Sequence, residues 1–280
     1  MATSALVRAA ERALPLIPNG VSAPLAEVLG TGAYLASPRA RANVMENLRV
    51  IAPERASAGL VRQVFVEQSR NYLEVFHVPH IAPDRLLASI EHRGWEHFLA
   101  AEAQGKGVVV ASAHLGPISV VGQMLNAHGY EVVLPVEAEH SDFQRAVNRA
   151  RRGMGLQLVP TETPLAVYRA LRDKKVFGVL ADRAVTGVGE RVAFFGRETL
   201  IPSAHIALAL RTGSPVVPAF SGRENGRFVA SFEPPLALIA TGDREADVRE
   251  GVRKWALVLE RYVRGAPDQW TVFERVWAER

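Results

Sequence analysis

The chain has 280 residues, a formal charge of +4, 48% hydrophobic and 22% charged residues, and no cysteine. This length and balance give a globular core of one large domain or two small ones and exclude wholesale disorder. The missing thiol excludes disulfides, thiolate catalysis and cysteine-based zinc or iron–sulfur centres.

No uninterrupted apolar run of about 18 residues occurs, so no transmembrane helix is expected. Arg8, Glu11 and Arg12 interrupt the first apolar stretch, where a secretory signal needs an unbroken core. The chain is therefore read as cytoplasmic, with a peripheral position on the inner face of the cell membrane left open. Residues 1–92 read as helical. Leu6, Ala10, Leu14 and Ile17 form one helical stripe, stopped by Pro15, Pro18 and Gly20. Leu25, Val28, Leu29 and Tyr34 suggest a second, short helix, and Pro38 to Ile51 a third, closed by Pro53. Leu60, Val64, Phe65, Tyr72, Val75 and Phe76 give a longer amphipathic pattern over 57–78, ended by Pro79 and Pro83. These helices either pack on the core or present an apolar stripe flanked by arginine to a bilayer.

From Gly94 the period changes. A helix at Trp95–Gln104 leads through Gly105-Lys106-Gly107 into Val108-Val109-Val110-Ala111, a short apolar run of the kind buried on both faces of a sheet. Helices at Ile118–Ala127, around Phe143–Arg151, at Thr163–Arg172 and at Ser203–Arg211 then alternate with strands at Glu131–Val136, Leu156–Val159, Val176–Leu180 and Val216–Phe220. A strand at Arg227–Phe232 and a helix at Ala246–Gly265 close the series. The alternation predicts an α/β fold with a central, largely parallel sheet flanked by helices and a helical N-terminal subdomain. No composition break marks a linker, so 1–280 is read as a single domain, with a helical part at 1–92 and an α/β core at 93–280.

Three features carry chemistry. In Ala111-Ser112-Ala113-His114-Leu115-Gly116-Pro117 a histidine follows the carboxyl end of a buried strand, where open α/β sheets form their ligand crevice. Imidazole takes up a proton near neutral pH, Gly116 lets backbone approach a substrate, and the start of the next helix offers N–H groups to an oxyanion. A histidine capping a helix would read the same way. In Val179-Leu180-Ala181-Asp182-Arg183 the carboxylate of Asp182 either accepts the Nδ1 proton of His114 or forms a turn or cap. Arg149, Arg151 and Arg152 precede Gly153-Met154-Gly155, an arrangement suited to phosphate or carboxylate, or to a solvated helix face. No HExxH, P-loop, GxGxxG or GxSxG motif occurs, so metal, nucleotide-cofactor and serine-hydrolase readings lack support. Of the 33 basic residues 29 are arginine. That surplus fits phospholipid headgroups, coenzyme A phosphates or an acidic carrier protein, and equally a bias of genome base composition. Nucleic acid is not expected, because aromatic residues do not interleave with the basic ones.

Several blocks in order resemble one family over nearly the whole chain. They are Arg41-Ala42-Asn43-Val44-Met45-Glu46-Asn47-Leu48-Arg49, Asn71-Tyr72-Leu73-Glu74, Arg93-Gly94-Trp95-Glu96-His97-Phe98, Gly105 through Gly116, Ala181-Asp182-Arg183, Phe194-Phe195-Gly196, and Ala209 through Pro218. Together they look like the bacterial lipid A lauroyl/myristoyl acyltransferases, a group that takes in phosphatidylinositol mannoside acyltransferase within the lysophospholipid acyltransferase superfamily. The resemblance implies transfer of an acyl group from acyl-CoA or acyl-carrier protein to a hydroxyl of a membrane lipid or glycolipid. It implies His114 as general base, Arg151 (with Gly116 and Arg183) in substrate binding, and no cofactor beyond the donor. In the family the histidine is followed, after four intervening residues, by Asp or Glu, and here that position is Ser119. Serine cannot stabilise imidazolium by charge. Asp182, or Glu190 ahead of Phe194-Phe195-Gly196, is then the replacement carboxylate. Pro117 is a second departure, and proline at the first position of a helix costs little. With Ser119 these changes leave open a soluble or carrier-bound acceptor in specialised metabolism, or a non-catalytic acyl-binding homologue.

Overall fold

The computed structural model describes residues 13–14 and 19–277, apart from 138, 140, 162, 185 and 186. The helical stripe expected at 6–17 lies almost wholly outside them. Three helices open the described chain: α1 (Asn19–Ala36), α2 (Pro38–Ile51) and α3 (Ala58–His77). α2 begins on the proline expected there, and Ser57 caps α3 by accepting from the Leu60 N–H. The remainder alternates strand and helix: α4 (Pro83–Ser89), β1 (Ile90–Arg93), α5 (Trp95–Glu102), β2 (Val108–Ser112), α6 (Ser119–Ala127), β3 (Val132–Val136), α7 (Asp142–Gly153), β4 (Gln157–Pro160), α8 (Pro164–Arg172) and β5 (Val176–Leu180). A hairpin follows, β6 (Glu190–Phe194) and β7 (Arg197–Ile201), and then α9 (Ala204–Thr212), β8 (Val216–Glu224), β9 (Arg227–Phe232) and α10 (Arg244–Gly265).

Seven strands form one sheet in the order β1-β9-β8-β2-β5-β3-β4. All neighbours are parallel except β8 and β9. β2 lies at the centre with Val108 to Ala111 buried, which is why its sequence runs apolar without alternating. Buried clusters cover both faces. One joins Val44, Leu48 and Phe65 of the first helices through Phe177 and Phe220 to Trp255 and Leu259 of α10. The other packs Phe98, Met124 and Leu125 on the opposite face.

The sequence pattern misses β1, α4 and the β6–β7 hairpin. β1 is an edge strand of four residues that buries only Ile90, too little to show a period. The hairpin turns on Phe195 and Gly196, with φ +52 and +71. A two-residue turn with both central φ angles positive matches strand twist, and glycine supplies one of them without strain.

Candidate active site

The register of the sheet creates the site. Ser112 of β2 pairs with Leu180 of β5, and the Ala181 N–H donates to the Ser112 carbonyl at 2.8 Å. Two residues further along each strand stand His114 and Asp182, so the ladder sets them side by side. His114 Nδ1 and Asp182 Oδ1 are 2.8 Å apart, and the His114 backbone N–H donates to Asp182 Oδ2 at 2.9 Å. The Trp270 indole Nε1–H also donates to Oδ2, at 3.0 Å. The Asp182 side chain is fully buried, whereas that of His114 is 23% exposed. Burial pushes the Asp182 carboxyl up, but the charge of His114, the hydrogen bonds from its ring and backbone, and the indole N–H together hold it below its ordinary value. The carboxylate is thus ionised at neutral pH and only accepts. Nδ1 therefore donates to it, and Nε2 has no hydrogen-bond partner among the described residues.

The C-terminal segment closes over the loop that carries the histidine. Gln269 accepts from the Gly116 N–H at 2.9 Å, and the Thr271 N–H donates to the His114 carbonyl at 2.8 Å. Gly116 has φ +61, and a Cβ there would collide with the Ser221 carbonyl, so the close approach requires glycine. These bonds correct one expectation from the sequence. The N–H groups before α6 are largely spent, since Gly116 donates to Gln269, Ile118 to Gly116 and Val120 to Pro117, while Pro117 has none.

The structure separates the remaining candidates. Ser119 opens α6, its hydroxyl is buried without a hydrogen-bond partner, and it makes no bond to the His114 ring. Glu190 pairs with Arg249 at 3.3 Å on the hairpin and does not bond His114. Arg183 turns to Glu274 at 3.2 Å and Glu137 at 3.6 Å. Arg151, in the last turn of α7, has Asn148 Oδ1 at 3.5 Å as its hydrogen-bond partner and no carboxylate within salt-bridge distance among the described residues. Burial pushes its guanidinium down. Arg151 and Ser119 line one cavity together with Ser112, Leu125, Leu134 and Leu156, apolar for most of its wall, at the carboxyl end of β2 and β5. Among the described residues no group of three or more His, Asp or Glu side chains is placed to hold a metal ion. Trp270 and Thr271 are the site residues that sequence reading missed, because 266–277 shows no period and no motif.

A part-exposed imidazole backed by a buried carboxylate, at the carboxyl edge of a parallel sheet, is chemically able to take up a proton, and the mostly apolar cavity that Ser112 and Ser119 line could take an apolar ligand. The chain belongs to the bacterial lipid A biosynthesis acyltransferase family, whose model matches residues 1–279, and is by that membership an acyltransferase. It is 28% identical over 220 residues to a phosphatidylinositol mannoside acyltransferase of Mycobacterium tuberculosis, an alignment covering 74% of this chain and 67% of that protein. It is 25% identical over 260 residues to the protein of the same name from Mycolicibacterium smegmatis, covering 89% and 84%.

Proposed function

We propose that the protein transfers an acyl group from a coenzyme A or acyl-carrier-protein thioester to a hydroxyl of a membrane lipid or glycolipid, with His114 as general base and Asp182 as its carboxylate. The 2.8 Å contact between His114 Nδ1 and the buried Asp182 is the observation that carries this reading. Nε2 takes the proton of the acceptor hydroxyl as its oxygen attacks the thioester carbonyl carbon. Asp182 steadies the imidazolium that results. The tetrahedral intermediate then collapses, the carbon–sulfur bond breaks, and the departing thiolate takes the proton from Nε2. With the loop N–H groups engaged, Arg151 and the Ser119 hydroxyl are the cavity-wall donors available to a developing oxyanion. The apolar remainder of the cavity suits the first carbons of the acyl chain.

A lipid acceptor fits the first helix. α1 exposes Val21, Val28, Leu29 and Leu35, and its single charged residue, Glu27, is paired with Arg62. No helix among the described residues is long and apolar enough to cross a membrane. An exposed apolar helix face suits peripheral binding at a bilayer surface. The reading is tested by incubating the purified chain with radiolabelled acyl-CoA or acyl-carrier protein and a lipid extract. Label should enter a lipid with the wild type and not with His114→Ala. Equal background from both would sink it.

A further inference from the structure

Asn43 and Asn47 fall in one of the sequence blocks singled out above, yet acyl transfer uses neither. Both lie on α2 and grip the C-terminal segment. Asn47 Nδ2 donates to the Glu274 carbonyl at 2.8 Å and the Val272 carbonyl at 3.3 Å, while its Oδ1 accepts from the Val276 N–H at 3.2 Å. Asn43 Nδ2 donates to the Phe273 carbonyl at 3.0 Å. Asn47 is 2% exposed, so this side chain answers the buried polar groups of a stretch that has no ladder of its own. Just upstream, the same segment runs beside the catalytic loop, with Leu115 bridged to Trp270 in antiparallel fashion and Thr271 bonded to the His114 carbonyl.

We propose that Trp270 is a positioning residue for the transfer reaction. Its indole N–H fixes the Asp182 carboxylate on the His114 ring, and Asn47 holds the strap that carries it. This rests on the reading of His114 as the base. Asp182 is cut off from water, so its oxygens depend on protein donors: the His114 ring, the His114 backbone N–H and the indole. Removing the indole donor concentrates negative charge on a carboxylate already bonded to Nδ1. It also leaves Oδ2 with a single backbone donor. The first effect favours imidazolium over the free base, and the second loosens the ring. The other charged groups nearby are engaged or set apart. Arg183 pairs with Glu137 and Glu274, and Arg151 lies on the cavity wall with Asn148 as its hydrogen-bond partner. Trp270 does not line that cavity, so its loss should act on turnover rather than on donor binding.

Trp270→Phe keeps the ring and deletes the N–H. Full-length protein labelled with 13C-histidine is titrated by NMR, with His114 assigned by the signal lost in His114→Ala. Turnover is measured alongside with radiolabelled palmitoyl-CoA and lipid extract. The expected result is a His114 midpoint moved to higher pH, with turnover at neutral pH down about tenfold and KM for the donor unchanged. Asn47→Ala should move the midpoint the same way, by less. If Trp270→Phe does not fold, Asn47→Ala carries the test. An unmoved midpoint in the folded variant, with His114→Ala inactive, overturns the positioning role and leaves the base in place. Full turnover by His114→Ala overturns the base itself, and the role of Trp270 in the reaction with it.

Discussion

Two polar clusters join distant parts of this chain, and they are built to opposite ends. In one, Arg223 of β8 reaches α3, where Nε and Nη2 meet the Glu74 carboxylate at 2.9 and 2.5 Å, Nη1 meets Glu67 Oε2 at 2.5 Å and Nη2 meets Asn71 at 2.7 Å. Every nitrogen of the guanidinium is bonded, and four of its five N–H donors are engaged within the protein. In the other, Asp182 is more deeply buried and takes three hydrogen bonds, but the imidazole in front of it has one nitrogen without a partner among the described residues and 23% of its side chain exposed. Burial raises the affinity of Glu74 for a proton, with Arg223 opposing. At Asp182 the charge of His114 and the hydrogen bonds together win over burial. A fully paired ionic cluster acts as a strut. A cluster that ends on a free lone pair can do chemistry.

Substitutions can break or sharpen that contrast. The largest effect is expected from His114→Ala, which should cost at least about 10⁴-fold in turnover while leaving the urea midpoint near wild type. Single-turnover transfer beside a denaturation curve checks both halves. Asp182→Asn should cost about 10² to 10⁴-fold, read as a loss in kcat, because it leaves the imidazole without charge stabilisation and free to adopt the other tautomer. Arg223→Ala should do the reverse. It strands buried carboxylates and should lower stability by about 3–5 kcal/mol in urea titration, with the folded fraction still active. Loss of activity without loss of stability would mean that this cluster belongs to the site.

Acid separates a third kind of histidine. His205 on α9 is buried beside Trp255, both ring nitrogens lack partners, and burial pushes its pKa down to about 3. The unfolded chain takes up this proton below its ordinary value of 6.5, whereas the folded chain resists until about 3, so stability is lost as pH falls across that window. The size is on the order of a few kcal/mol, and His205→Leu should flatten the slope of stability against pH there. Asp182 acts lower. Its depressed pKa stabilises the fold above 3.8, and that contribution is lost as pH falls beneath that value. The smallest effect is expected from Ser119→Ala. The buried hydroxyl has no partner to lose, so stability should change by less than about 1 kcal/mol. A drop in turnover of more than about tenfold would place this hydroxyl on the oxyanion instead.

Much of this was legible before any coordinates. The unbroken apolar run Val108–Ala111 marks a strand buried on both faces, and a histidine just past its end marks the crevice. Helix starts with proline or serine ahead of amphipathic runs locate α2 and α3 to within a residue. Asp182 at a strand end was the first candidate for the partner of the histidine, with Glu190 behind it, but the sequence could not close that choice. Only the β2–β5 register, which pairs Ser112 with Leu180, puts Asp182, and neither Glu190 nor Ser119, against His114. Trp270 was invisible for the same kind of reason. It lies 156 residues from His114 in an aperiodic segment, and what ties it there is the Leu115–Trp270 bridge flanked by the bonds of Gln269 to Gly116 and of Thr271 to His114. The sequence by itself determined most of the elements, through local periodicity and proline or glycine breaks, and nominated His114, while β1, α4 and the β6–β7 hairpin were too short to show a period. The tertiary structure alone decided which carboxylate bonds that histidine, because hydrogen-bond partners across a sheet depend on register and burial, which no local pattern encodes.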